Sequence, residues 1–282
     1  MTITESLPIT LQLGPVHVNV ADLDRSIAWY ERSLGLTVRA RGDGRAELGD
    51  SITTSVVLHE EPGAQPPAPD QAGMFHYCLL YQTRQELARA AARIHATDTP
   101  VANMNDRHTH EAIYLDDPDG NTIELAWDRP RDQWPADPYG RTPVQLDLEG
   151  LLATIKGEPP ADRVQDGLVI GHVHFIVGDI EEAVRFYCDV LGMDLKYHVG
   201  NAAYFSVGGY HHQVATNIRK GEGVGPQPLH AIGLRHWIIT LANADEVAGA
   251  RERIEAAGCQ IEPNPNGFAT VDPWQLALHI VS

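Results

Sequence analysis

Apolar and polar residues alternate along residues 14–20, GPVHVNV, and the same alternation returns at residues 171–177, GHVHFIV. A period of two predicts a half-buried β-strand. Each run leads to an aspartate, Asp22 or Asp179, where the period changes. Ile27, Tyr30 and Leu34 in one copy, and Val184, Tyr187 and Leu191 in the other, fall at helical spacing. Gly35 and Gly192 stand where a helix ends in a left-handed residue. Stretches 14–36 and 171–193 align without a gap, so the chain contains an internal repeat.

A looser pair follows each copy. GMFHYCLLYQTRQELARAAARI (73–94) and GLRHWIITLANADEVAGARERI (233–254) both read as a strand carrying a histidine, His76 or His236, and then an amphipathic helix. Leu87, Ala91 and Ile94, or Val247, Ala250 and Ile254, mark the buried stripes. Short strand-like runs close each copy, and DPDGN at 117–121 reads as the turn of a hairpin. The sequence is therefore α+β, four strand–helix–strands (βαβββ) modules in two halves, 10–127 and 169–282. The proline-rich stretch 128–168 reads as a connector. Mixed sheets of this kind curl around a pocket.

Composition narrows the partners. With 21 Lys and Arg against 38 Asp and Glu, the formal net charge is −17, which disfavours nucleic acid and anionic membrane surfaces. No apolar run approaches the ~20 residues that span a bilayer, and MTITESLPIT has no basic start with an apolar core behind it. Three widely spaced cysteines without a CxxC pair argue against a disulfide framework and for a reducing cytoplasm. Fourteen histidines, many inside strand-like runs, are the unusual feature.

Three of those runs hold candidate chemistry. In NTIELAWD, Glu124 shares a strand face with Thr122 and Ala126, and a buried carboxylate needs a partner or a cation. His76 opens the first strand of the same module. His172 lies seven residues before Asp179, whereas the same count from Asp22 reaches Pro15, with His17 two residues on. In YFSVGGYHHQVA, strand alternation would turn His211 and His212 to opposite faces.

Four such modules in tandem halves resemble the vicinal oxygen chelate (glyoxalase, bleomycin resistance, dioxygenase) superfamily over residues 10–282. The resemblance is nearest to its two-domain extradiol catechol 2,3-dioxygenases. It implies an oxidoreductase that opens a small aromatic diol with O2, with Fe(II), or alternatively Mn(II), as cofactor. A homo-oligomer is compatible with it. YLDDPDGNTIE places Glu124 on the family's ligand glutamate and Tyr114 on its active-site tyrosine. His76 and His172 fall on the ligand histidines, and His212, the second of the adjacent pair, on the acid/base. His108, after Arg107, falls on a histidine that binds a substrate oxygen, although the shorter segment here also allows His110.

Three pairings of modules compete for the metal: His17 with His76 and Glu124; His172 with His236 and His279; or His172 with His76 and Glu124. Only the last keeps every ligand in register. Two other functions stay open on this scaffold, a metal-dependent isomerase or lyase of the glyoxalase type and a metal-free binding protein.

Overall fold

A computed structural model describes residues 6–282. The remaining residues, 1–5, on which part of the leader reading falls, lie outside the described residues. The architecture is mixed α+β with four βαβββ modules, as the alternation and the repeat predict. The residues cluster into two compact units. The first holds Asn19–Ala64 and His76–Gly171; the second holds the segment ending at Val18, Gln65–Phe75 and His172–Ser282.

In the first unit, Thr37–Gly42, Arg45–Gly49 and Thr54–Glu60 form an antiparallel meander. A second sheet sets Gly73–Tyr81, from His76 onward, parallel to Thr122–Asp128, with Cys78 opposite Glu124. His110–Asp116 lies antiparallel to Thr122–Asp128, with Tyr114 opposite Glu124. Asn103–Asp106 pairs with that strand in turn. The proline-rich stretch adds Val144–Gln145 beside Asn103–Asp106 and the short helix Leu148–Leu152. Leu146, Leu151 and Ile155 bury their side chains, so much of this stretch is packed rather than a free linker.

The second unit repeats the plan. Val169–Ile176, from His172 onward, runs parallel to Val214–Asn217, which pairs with Ala202–Ser206. Gly233–Thr240 runs parallel to Ala277–Val281, with Ile238 opposite His279, the register of Cys78 and Glu124 repeated.

Local chemistry explains the helices. Asp22, Thr83, Asp179 and Asn243 each accept a bond from the backbone N–H three residues on, the N-cap geometry that satisfies an orphan donor. The helices Leu23–Trp29 and Ile180–Val184 then widen into π-turns, Tyr30–Leu34 and Arg185–Val190. The wider turn places Tyr30 and Tyr187 at full burial. The Tyr30 hydroxyl donates to Asp117 at 3.1 Å, and the Tyr187 hydroxyl to Asp272, also at 3.1 Å. Gly35 and Gly192 have φ of 71° and 86°, and a Cβ at either would strike the guanidinium of Arg93 or Arg253. Those two arginines donate to the carbonyls of Leu34 and Leu191, capping the helix ends.

Among the described residues no helix is long and apolar enough to cross a membrane.

Candidate functional site

Parallel pairing of the strand from His76 with Thr122–Asp128 sets the first cluster. His76 Nε2 stands 3.0 Å from Glu124 Oε2, with side-chain exposures of 5% and 1%. A carboxylate so deeply buried requires a compensating positive partner. Two ligand atoms each about 2.1 Å from one ion, at right angles, stand about 3.0 Å apart. The spacing of this imidazole and carboxylate thus fits neighbouring positions around a divalent metal. Imidazole with carboxylate is a donor set that suits first-row ions.

Tyr114 and His110 complete this cluster. Both lie on the strand antiparallel to the one bearing Glu124, and alternation gives them the face of Glu124. The Tyr114 hydroxyl bonds Glu124. Burial, then the Glu124 charge, pushes its pKa well above the ordinary tyrosine value, against the opposing pull of Arg107. Tyr114 is therefore a neutral donor. His110 Nε2 lies 3.1 Å from Glu124 Oε1, and its Nδ1 lies 2.8 Å from the Thr109 hydroxyl.

His108 is placed elsewhere. It sits in a turn with φ of 69°, its backbone N–H donates to Asp106, and its Nε2 lies 3.0 Å from the Thr142 carbonyl oxygen. It lines a cavity of about 460 Å³ with Asp106, Arg129, Gln133, Pro135 and Arg141. Arg129 pairs there with Asp106 and Glu111, and Glu111 alternates to the face opposite His110. Of the two histidines weighed from the sequence, His110 is the one beside Glu124.

In the second unit, His172 and His212 face each other with ring centroids 4.2 Å apart. The Val173 backbone N–H donates to the Gln213 carbonyl at 3.0 Å, which aligns the two segments. The adjacent histidines differ from the strand expectation. Residues 207–213 leave the sheet as a loop, because Gly208 and Gly209 adopt φ of 62° and 70°. Freed from alternation, His211 and His212 converge, with Nδ1 atoms 2.7 Å apart and both rings buried. His174 has its Nε2 2.9 Å from Asn217 Nδ2.

His17 lies 3.8 Å from His236 in a stacked pair, and His236 stacks in turn on His279 at 3.9 Å. The set of His172, His236 and His279 is thus divided: His172 meets His212, while His236 and His279 form a column with His17. Burial lowers the pKa of His279, which favours its neutral form within that column.

Comparison with known proteins bears on these clusters. The sequence profile of the "Glyoxalase/Bleomycin resistance protein/Dioxygenase superfamily" matches residues 12–125 and 169–269. A catechol-2,3-dioxygenase of Bacillus subtilis (strain 168) is 35% identical over 268 residues, covering 93% of each chain. A provisionally named dioxygenase of Bacillus subtilis subsp. subtilis str. 168 shares the fold with a TM-score of 0.67 and 11% identity, covering 99% of this chain and 86% of that one. Glyoxalase I from Zea mays superposes with a TM-score of 0.59 and 17% identity, over 97% and 92% of the two chains.

Proposed function

This chain belongs to the glyoxalase/bleomycin resistance protein/dioxygenase superfamily, and on that premise we propose that it is an Fe(II)-dependent extradiol dioxygenase acting on a catechol-type aromatic. The observation that carries the reading is the buried pair of His76 and Glu124, 3.0 Å apart. The identity with a catechol-2,3-dioxygenase supports it.

His76 and Glu124 would hold the iron, and the family register of the sequence names His172 as the third ligand. Bound iron would bring a ring diol and O2 together through the positions that two histidines and one carboxylate leave open.

The remaining steps belong to the chain. Tyr114 donates a hydrogen bond to a substrate oxygen when that oxygen replaces Glu124 as its acceptor. His110 takes the substrate-facing place expected of His108, which lines the cavity near Arg129. His212 takes a proton from a substrate hydroxyl and returns it to the product, within the pH range where imidazole changes charge.

Anaerobic loading with Fe(II), followed by catechol in air, tests the reading. Oxygen uptake with a yellow ring-opened semialdehyde is expected. No uptake across a panel of substituted catechols overturns it, and oxygen-independent turnover of a glutathione hemithioacetal with Ni(II), Zn(II) or Co(II) would establish the isomerase instead.

A further inference from the structure

His108 and the stretch after Asp128 have no part in the proposed reaction, yet they build the cavity of about 460 Å³ lined by Asp106, His108, Arg129, Gln133, Pro135 and Arg141. Bonds at both ends hold its walls. The chain leaves the sheet after Asp128 and returns to it where Val144 pairs with Asp106. Between these points the Trp134 indole N–H donates to the Arg129 carbonyl at 2.8 Å. The facing wall is the left-handed turn at His108, whose N–H donates to Asp106 Oδ1 at 2.7 Å. A carbonyl oxygen can only accept, so His108 Nε2 carries the proton of its 3.0 Å bond to Thr142. That bond fixes the residue next to Arg141. Asp106 pairs in register with Glu111 and shares its face, away from His110 and Glu124. The cavity therefore opens on the other side of the sheet from the His76–Glu124 cluster.

Charge decides what such a cavity takes. Glu111 already accepts two bonds from Arg84, from Nε at 2.7 Å and from Nη2 at 3.1 Å. Arg129 reaches Asp106 at 2.6 Å and Glu111 at 3.2 Å through one nitrogen, Nη2. Among the described residues its Nε and Nη1 meet no acceptor, and the exposed Arg141 has no ion-pair partner. Three arginines thus stand against two carboxylates, a local excess of positive charge in a chain whose formal net charge is −17. We propose that the cavity binds a small organic carboxylate of single negative charge between Arg129 and Arg141, with His108 as a positioning residue that holds Arg141 at it. The two oxygens of a carboxylate match the paired N–H groups of a guanidinium. A cation would instead face two guanidinium groups, and both oxygens of Asp106 already accept bonds. No aromatic side chain lines the cavity, so an apolar ring gains little there. Inorganic phosphate carries more negative charge than the cavity offsets.

NMR of the purified full chain, labelled with nitrogen-15, tests it. The Arg129 Nε–H signal is followed while propionate, propionamide or inorganic phosphate is added at constant ionic strength. Propionate should shift that signal with a Kd on the order of 1 mM, which ~5 non-hydrogen atoms can supply. Propionamide, of the same shape without the charge, should bind about tenfold more weakly or less. Arg141→Gln should weaken propionate about tenfold, whereas Arg131→Gln, an equal loss of charge outside the lining, should leave Kd within about twofold. His108→Gly keeps the left-handed turn and should weaken propionate about fivefold, with melting within a few degrees of the parent. No shift up to about 50 mM propionate, tighter binding of phosphate, or equal losses in the two arginine variants overturns the site. An unchanged Kd in His108→Gly overturns the positioning role. None of these readouts uses turnover, so they decide the proposal whether or not the chain cleaves catechol.

Discussion

His76 Nε2 and Glu124 Oε2 lie 3.0 Å apart with almost no exposure to solvent, on two parallel strands of one sheet. A histidine and a carboxylate held there compensate each other, and under the proposed function both would be metal ligands. Replacing Glu124 with Gln removes the charge and keeps the shape. Its divalent-metal affinity should fall at least 100-fold, while the metal-free protein keeps its far-ultraviolet dichroism and melts within a few degrees of the parent. Metal titration by calorimetry beside a thermal melt measures both. Unchanged affinity would place the metal elsewhere.

Tyr114 is kept neutral by burial and by the Glu124 charge, so it serves as a donor and not as a base. Tyr114→Phe removes one hydroxyl and leaves the ring contact with His76. We expect metal content to stay the same and kcat/KM for catechol to fall by about 10- to 100-fold, the cost of one lost hydrogen bond to a charged group. Steady-state oxygen uptake would show it.

Asp272 predicts how stability depends on pH. Complete burial pushes its pKa up to about 7, against the lowering effect of N–H donors from Leu276 and Trp274 and the Tyr187 hydroxyl. In the unfolded chain the same group titrates near 3.8. The folded state therefore keeps a proton that the unfolded chain has lost. That contribution to stability is full below about pH 4 and is lost as pH rises through about 7. The melting temperature should drop between pH 5.5 and pH 8, and Asp272→Asn should flatten that drop by on the order of 5 °C. Scanning calorimetry of both proteins across the range decides it; parallel curves would show that Asp272 is not the group responsible.

Gly209 provides a test of the histidine loop. Its φ of 70° is a conformation that an L side chain adopts at a cost of about 1 kcal/mol. Gly209→Ala should lower the melting temperature by only a few degrees but slow turnover more than tenfold, because His212 moves with the loop. Full activity in that variant would show that the doublet's placement does not depend on this turn.

The sequence by itself determined the modules. A change from period two to helical spacing locates the strand–helix junctions at Asp22 and Asp179, where helices do begin. The gapless repeat identifies the two copies, and Glu124, flanked by apolar residues on a strand, is recognisable as a buried carboxylate. These features are local: each depends on a few neighbouring residues and the backbone geometry they favour.

Only the tertiary structure decided which histidine meets which group. His108 and His110 are two residues apart, yet a left-handed turn at His108 leaves only His110 beside Glu124. The expectation that His211 and His212 point apart assumed a continuous strand. Two glycines with positive φ break that strand and bring the rings together. His17 belongs with His236 and His279 because strands far apart in the chain place their rings in one column. Local pattern fixes where a side chain starts; where its ring ends depends on loops and on pairing between distant strands, for which no short stretch of sequence carries a signal.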